Sequence, residues 1–179
     1  PDEKVRSPED KSNPAGTGQT LGLTRSRERL LRRIRTRKGR EAEAVVALEG
    51  PRALDTALDH GAELLFALRA SGPAEGALQR FLDRLLVLGV EVVEVPRATF
   101  SALASTESPQ GILALAREPG AELPDRPVTR PPRILVLDRV QEPGNVGVLI
   151  RAAAAFGLER VLLLDGTADP WSSKAVRAA

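Results

Sequence analysis

Ile134-Leu-Val-Leu-Asp138-Arg-Val-Gln141-Glu142-Pro143-Gly144-Asn145-Val-Gly147-Val-Leu-Ile-Arg151-Ala-Ala-Ala-Ala-Phe156-Gly157 is an apolar β run that meets a glycine turn and opens into a helix at Asn145. The helix carries one arginine, Arg151, among Ile150 and Ala152 to Ala155. An arginine leaves water only when its charge is matched. Long helical side chains lean toward the preceding turn, which places Arg151 over Gly147, where no side chain obstructs it and a ligand can approach both groups. Spacing alone leaves an equal alternative, an arginine that pairs with an acid of the protein itself. Asn145 carries a similar ambiguity, since asparagine is a good helix N-cap and the cap is an equal alternative to a functional role.

A strand predicted over residues 160–164 and a helix beginning near Ser172 follow the quoted stretch, so residues 133–179 read as the start of an α/β unit. Two strands and little more than one helix do not bury a parallel sheet on both faces. Upstream, Pro119, Pro124, Pro127, Pro131 and Pro132 break both periodicities and predict a linker over 119–132. Residues 21–118 alternate in element type after a first helix over 24–38, whose apolar stripe is Leu23, Leu30, Leu31 and Ile34 and whose stop is Gly39. Strands are predicted at 44–48, 63–68, 90–95 and 111–116, with helices at 51–60, 74–88 and 98–104, which makes a small α/β sandwich. Residues 1–20 are polar and rich in Pro and Gly, the composition of a disordered tail.

Charge is unevenly spread. The 179 residues carry a net +2, but residues 23–41 hold nine Lys and Arg against two acids, a local +7 on a body of −5. A concentrated basic segment is the footprint of a phosphate-binding element, here Arg32, Arg33, Arg35, Arg37, Lys38 and Arg40, joined by Arg52; its alternative is a solvated helix face. Aromatic residues make up only 3% and tyrosine is absent, which disfavours stacking of several bases on an aromatic sheet. With no cysteine there are no disulfides, thiolate metal sites or cysteine nucleophile, and no long apolar run suggests a signal or anchor. A cytoplasmic protein without membrane or metal is the default expectation.

The motif has several look-alikes. Gly144-Asn-Val-Gly147 follows a strand, whereas the GXXG clamp of a KH domain joins two helices, and it lacks the third glycine of a dinucleotide fingerprint. His60 stands before Gly61 at a predicted helix end, where it suits the dipole better than it suits base catalysis. Trp171 reads as a packing anchor.

Gln141-Glu-Pro-Gly-Asn145-Val-Gly147, then Ile150-Arg151-Ala-Ala-Ala-Ala-Phe156-Gly157 and the β run Arg160-Val-Leu-Leu-Leu164, resembles the first signature motif of the SpoU/TrmH family of RNA ribose 2′-O-methyltransferases, within the SPOUT superfamily. Arg37-Lys-Gly-Arg-Glu41, Leu48-Glu-Gly-Pro-Arg52 and Glu107-Ser-Pro-Gln-Gly111 are similar to the small RNA-binding domain that precedes the catalytic domain in many members. The resemblance spans roughly residues 23–179. It implies methyl transfer from S-adenosylmethionine to a ribose 2′-hydroxyl without a metal, with ribosomal RNA as substrate or transfer RNA as the alternative, by a homodimer. It also implies catalytic roles for Arg151 and Asn145, and places Glu142 where the family more often has aspartate.

Family members close the catalytic domain with a glycine- and glutamate-containing loop and a Ser-Leu-Asn segment, drawn into a trefoil knot that holds the cofactor. Neither occurs up to Ala179, although Asp169 to Ala178 is itself family-like. The expectation is a truncated methyltransferase domain, inactive alone, whose cofactor-binding residues lie beyond Ala179. The competing expectation is a non-catalytic RNA-binding protein or fragment that keeps the fold without the cofactor site.

Overall fold

Four runs of β-branched and leucine residues in the first two thirds of the chain become the strands of one mixed sheet, whereas the run Leu85 to Leu88 ends a helix. The computed structural model describes residues 22–106, 108–120 and 131–179; the predicted tail and most of the predicted linker lie outside them. The strands are β1 (Val45–Glu49), β2 (Leu64–Ala70), β3 (Val92–Val95) and β4 (Ile112–Arg117), in the spatial order β1-β4-β2-β3. The last strand in sequence enters the middle, antiparallel to both β1 and β2, while β2 and β3 run parallel. That position explains why Ile112 to Ala116 is an unbroken buried run, since a central strand is covered on both faces.

Helices α1 (Arg25–Arg33), α2 (Arg37–Glu43), α3 (Pro51–Asp59), α4 (Gly76–Val87) and α5 (Arg97–Leu103) complete this half. Leu31, Ile34, Phe100 and Leu103 join Phe66, Leu68, Val93 and Leu115 on one side of the sheet. Leu54, Phe81 and Leu85 join Val46, Ala67, Ile112 and Ala114 on the other. The expected sandwich therefore has two cores, one on each face of the sheet.

The first predicted helix is in fact two. Thr24 caps α1, its Oγ accepting from the Arg27 N–H at 3.3 Å, and Thr36 caps α2, its Oγ accepting from the Gly39 N–H at 3.1 Å. A threonine that finds a free N–H starts a helix more readily than it continues one. Gly39 is not the stop but lies inside α2, packed so closely on the end of α1 that a Cβ there would lie 1.9 Å from the Arg33 carbonyl oxygen.

In the last third, β5 (Ile134–Leu137) and β6 (Arg160–Leu163) pair in parallel through helix α6 (Pro143–Ala155), and α7 (Ser173–Ala178) packs back on α6. Leu137, Val146 and Ala153 are buried between sheet and helix. Ile134, Val136, Leu162 and Leu164 leave the opposite face of the sheet exposed, as does Phe156 beyond the end of α6. The two halves touch through α7 and the loop before it, where Trp171 and Val176 pack against the core beneath α3 and α4.

Candidate functional site

β5 delivers the chain to a left-handed Arg139, φ 53°, and then to the turn that opens α6. Glu142, not Asn145, is the N-cap, and Pro143 occupies the first helical turn, where its missing N–H costs nothing. Asn145 sits one step inside, its backbone N–H donating to the Glu142 carbonyl at 3.0 Å. Its amide side chain is exposed and makes no hydrogen bond among the described residues. The Glu142 carboxylate pairs with the Lys174 ammonium of α7, which holds it below the usual carboxylate range through a hydrogen bond and charge attraction.

Arg151 is exposed and forms neither an ion pair nor a hydrogen bond among the described residues. Gly147 has a different role from the one its spacing suggests. It is buried under α7, and a Cβ at this position would lie 2.1 Å from the Ala175 carbonyl oxygen and 2.8 Å from the Ala178 Cβ. The space expected for a ligand beside Gly147 is filled by protein backbone.

The basic segment divides into three groups. Arg32, Arg33 and Arg37 are exposed but paired with Glu28 at 2.7 Å, Glu43 at 2.6 Å and Glu41 at 2.8 Å. Pairs of this kind contribute little and yield readily to a phosphate. Arg35 only touches the Ala102 carbonyl, at 3.4 Å, and Lys38 and Arg52 are exposed without a partner among the described residues. Arg40 is the correction: its side chain is buried, with one guanidinium nitrogen donating to the Ile34 carbonyl at 2.7 Å and another paired with Asp169. A buried, paired guanidinium is not available to RNA, so Arg40 is structural.

Arg25 and Arg29 belong to the same basic segment but are not among the residues singled out in it. Both are exposed and unpaired among the described residues, and with Arg32 and Arg33 they lie along one side of α1 at helical spacing. The i, i+4 repeat of arginine opposite the leucine stripe was the available signal. Arg27 is drawn inward instead, bound through both guanidinium nitrogens to Glu91 at 2.6 and 2.5 Å and lying 4.8 Å over the Phe66 ring. His60 caps α3, with its ring Nδ1 2.8 Å from the Thr56 carbonyl. No helix of the described residues is long and apolar enough to cross a membrane, and no cluster of metal-ligating side chains occurs among them.

A small cleft of about 230 Å³, lined by Leu31, Arg40 and Trp171, and two larger ones run between the halves of the chain. One, of about 1000 Å³, lies between α3, the loop before β4 and α7; the other, of about 450 Å³, is bounded by Arg37, Arg40 and the loop of residues 163–171.

Comparison with known proteins matches these two halves separately. Residues 27–114 match the MRM3-like substrate binding domain, and residues 132–179 match the SpoU rRNA Methylase family. The chain is 35% identical over 116 residues to the Bacillus subtilis 23S rRNA (guanosine(2553)-2′-O)-methyltransferase RlmP, covering 63% of this chain and 45% of that protein. It is 30% identical over 151 residues to human mitochondrial rRNA methyltransferase 3, covering 81% of this chain and 34% of that one. A crystal structure of an RNA 2′-O ribose methyltransferase superimposes with a TM-score of 0.70 at 31% identity, over 88% of this chain and 59% of the other. The AdoMet-bound rRNA methyltransferase from Sinorhizobium meliloti does so with a TM-score of 0.71 at 26% identity, over 88% and 58%. The chain spans about half the length, or less, of these curated relatives.

Proposed function

Because the chain belongs to the SpoU rRNA methylase family, with an MRM3-like substrate binding domain ahead of its methylase segment, we propose that it serves S-adenosylmethionine-dependent methylation of a ribose 2′-hydroxyl in RNA. The named relatives act on ribosomal RNA, which favours that substrate over transfer RNA. In this proposal residues 21–118 bind the RNA, residues 119–132 link, and residues 133–179 are the N-terminal part of the methyltransferase domain, which works as a homodimer in the cytoplasm.

The observation that carries the proposal is Arg151, an exposed cation without a partner among the described residues, on the helix that follows the glycine turn. A guanidinium with a pKa above about 12 does not remove the proton of a 2′-hydroxyl. Its planar fork instead holds an adjacent phosphate by two hydrogen bonds and stabilises negative charge as it develops on the 2′-oxygen, with a phosphate oxygen as proton acceptor. Asn145, with its amide free, holds the same nucleotide and restricts its orientation.

S-adenosylmethionine, when bound, supplies an electrophilic methyl group. Asn145 and Arg151 line none of the clefts between the two halves described above. The roles proposed for Asn145 and Arg151 are toward the RNA.

The test is transfer of labelled methyl to ribosomal and to transfer RNA by a form of the protein that carries both further family motifs. Label recovered in alkali-resistant dinucleotides of ribosomal RNA is the expected result. RNA binding without any transfer would overturn the proposal in favour of a non-catalytic RNA-binding protein.

A further inference from the structure

Two of the three motifs that resemble an RNA-binding domain, those at residues 48–52 and 107–111, are far apart in sequence and meet at one cleft. Glu49 at the end of β1 fixes their relation. Its carboxylate accepts from the Ser105 N–H and Oγ, both at 3.1 Å, and from the Thr106 hydroxyl, so the loop before β4 is pinned beside the start of α3. Gly50, at φ 92°, then lets the Gln110 side chain lie against the backbone; a Cβ on residue 50 would fall 2.6 Å from the Gln110 Oε1. The third wall comes from the other half of the chain, where Trp171 and Arg177 face the same space.

We propose that this cleft, lined by Arg52, Thr56, Gln110, Trp171 and Arg177, binds an unpaired nucleotide of the RNA substrate. The inference rests on the proposed function and adds a site to it. Its volume of about 1000 Å³ is at the upper end of the range, about 300–1000 Å³, in which small-ligand sites fall.

The chemistry of the walls selects the occupant. Arg52 and Arg177 come from opposite sides, are exposed, and have no ion-pair partner among the described residues, so two cations are free for phosphate oxygens. Gln110 and Thr56 supply donors and acceptors for a base edge, and Trp171 supplies an aromatic surface. The cleft's acid, Glu49, is committed to Ser105 and Thr106. An acidic peptide would satisfy the arginines but leave the amide and the ring without matched partners. A base within a duplex shows neither its face nor its pairing edge, which restricts the occupant to an unpaired nucleotide.

Trp171 is the sole tryptophan, so its emission reports on the wall this cleft shares with its neighbours, and the Arg52 and Arg177 variants identify the cleft itself. The experiment titrates the 179-residue chain with a short single-stranded oligoribonucleotide, with a blunt duplex of the same sequence, and with a poly-glutamate peptide. The oligoribonucleotide should quench Trp171 emission, and Arg52→Gln and Arg177→Gln should each weaken its binding about tenfold without lowering the melting temperature. Arg80→Gln, on the exposed side of α4, should leave binding unchanged. Equal quenching by the duplex or the peptide would overturn the assignment. So would RNA binding that depends on Arg29 and Arg32 but leaves Trp171 emission and the two cleft variants unaffected, a result under which the proposed function stands. Failure to bind any RNA would overturn both.

Discussion

Arg40 and Asp169, 129 positions apart, close a buried ion pair between α2 and the loop that leads into α7. The same Asp169 carboxylate accepts from the Trp171 backbone N–H at 2.8 Å. One carboxylate thus ties the basic helices to the wall of the interdomain cleft, and through α7 to the helix of Asn145 and Arg151. Removing one member leaves an uncompensated charge out of water.

Asp169→Ala and Arg40→Ala should each lower stability by about 3–5 kcal/mol, the usual consequence of breaking a buried pair. Urea unfolding of the two variants and of the double variant forms a cycle. A strong positive coupling is expected, and additive losses would show that the two side chains act independently.

Gly147→Ala forces a methyl group onto the Ala175 carbonyl, which belongs to rigid helix backbone. Displacement of α7 should cost about 1–3 kcal/mol. Calorimetric melting checks the loss, and because Trp171 immediately precedes α7, its emission maximum should shift with it.

Arg151→Ala removes an exposed side chain without a partner among the described residues, so stability should change by no more than about 0.5 kcal/mol. Methyl transfer, assayed in a preparation active toward RNA, should fall at least about a hundredfold. Arg151→Lys should recover little, since lysine keeps the charge and loses the fork. Single-turnover methylation and melting temperature on the same preparations separate the two effects.

Arg27 holds the Glu91 carboxyl below its ordinary range, chiefly by the hydrogen bonds between them. A carboxyl with a depressed folded pKa stabilises the fold above its unfolded pKa, and the contribution disappears as pH falls through the lower, folded value. Both side chains are about a third exposed, so water screens the pair to at most about 1 kcal/mol. The melting temperature of Glu91→Gln should be lower than that of the parent at pH 7, and the difference should close once the pH drops below the ordinary carboxylate range.

Charge neutralisation on α1 and α2 should appear as salt dependence. Replacing Arg32, Arg33, Arg35 and Arg37 by Gln should flatten the slope of RNA affinity against salt in a filter-binding titration, because fewer counterions are released. Adding Arg25→Gln and Arg29→Gln should flatten it further, since these two have no internal acid to leave.

Periodicity showed where the strands and most helices lie, because burial of one face imposes it directly on the order of residues. The element boundaries failed where a local hydrogen bond competed with propensity, as at Thr36, or where a proline took the first helical turn ahead of a plausible cap, as at Pro143 before Asn145. The insertion of β4 between β1 and β2 is a matter of long-range pairing, which no local pattern encodes. The glycine turn before α6 was legible, whereas the burial of Arg40 was not, since its partner Asp169 lies in the other half of the chain. The meeting of Arg52 with Arg177 and Trp171 exists only in three dimensions.

The β5–β6 pair has a further consequence. In a sheet of two strands both are borders, each with outward N–H and C=O groups, and Val136 and Leu162 add a greasy side face. Such a surface is a template for strand addition and for aggregation alike. Handling this chain at high concentration therefore calls for conditions that shield that face, and light scattering should rise with concentration sooner than the net charge of +2 would suggest.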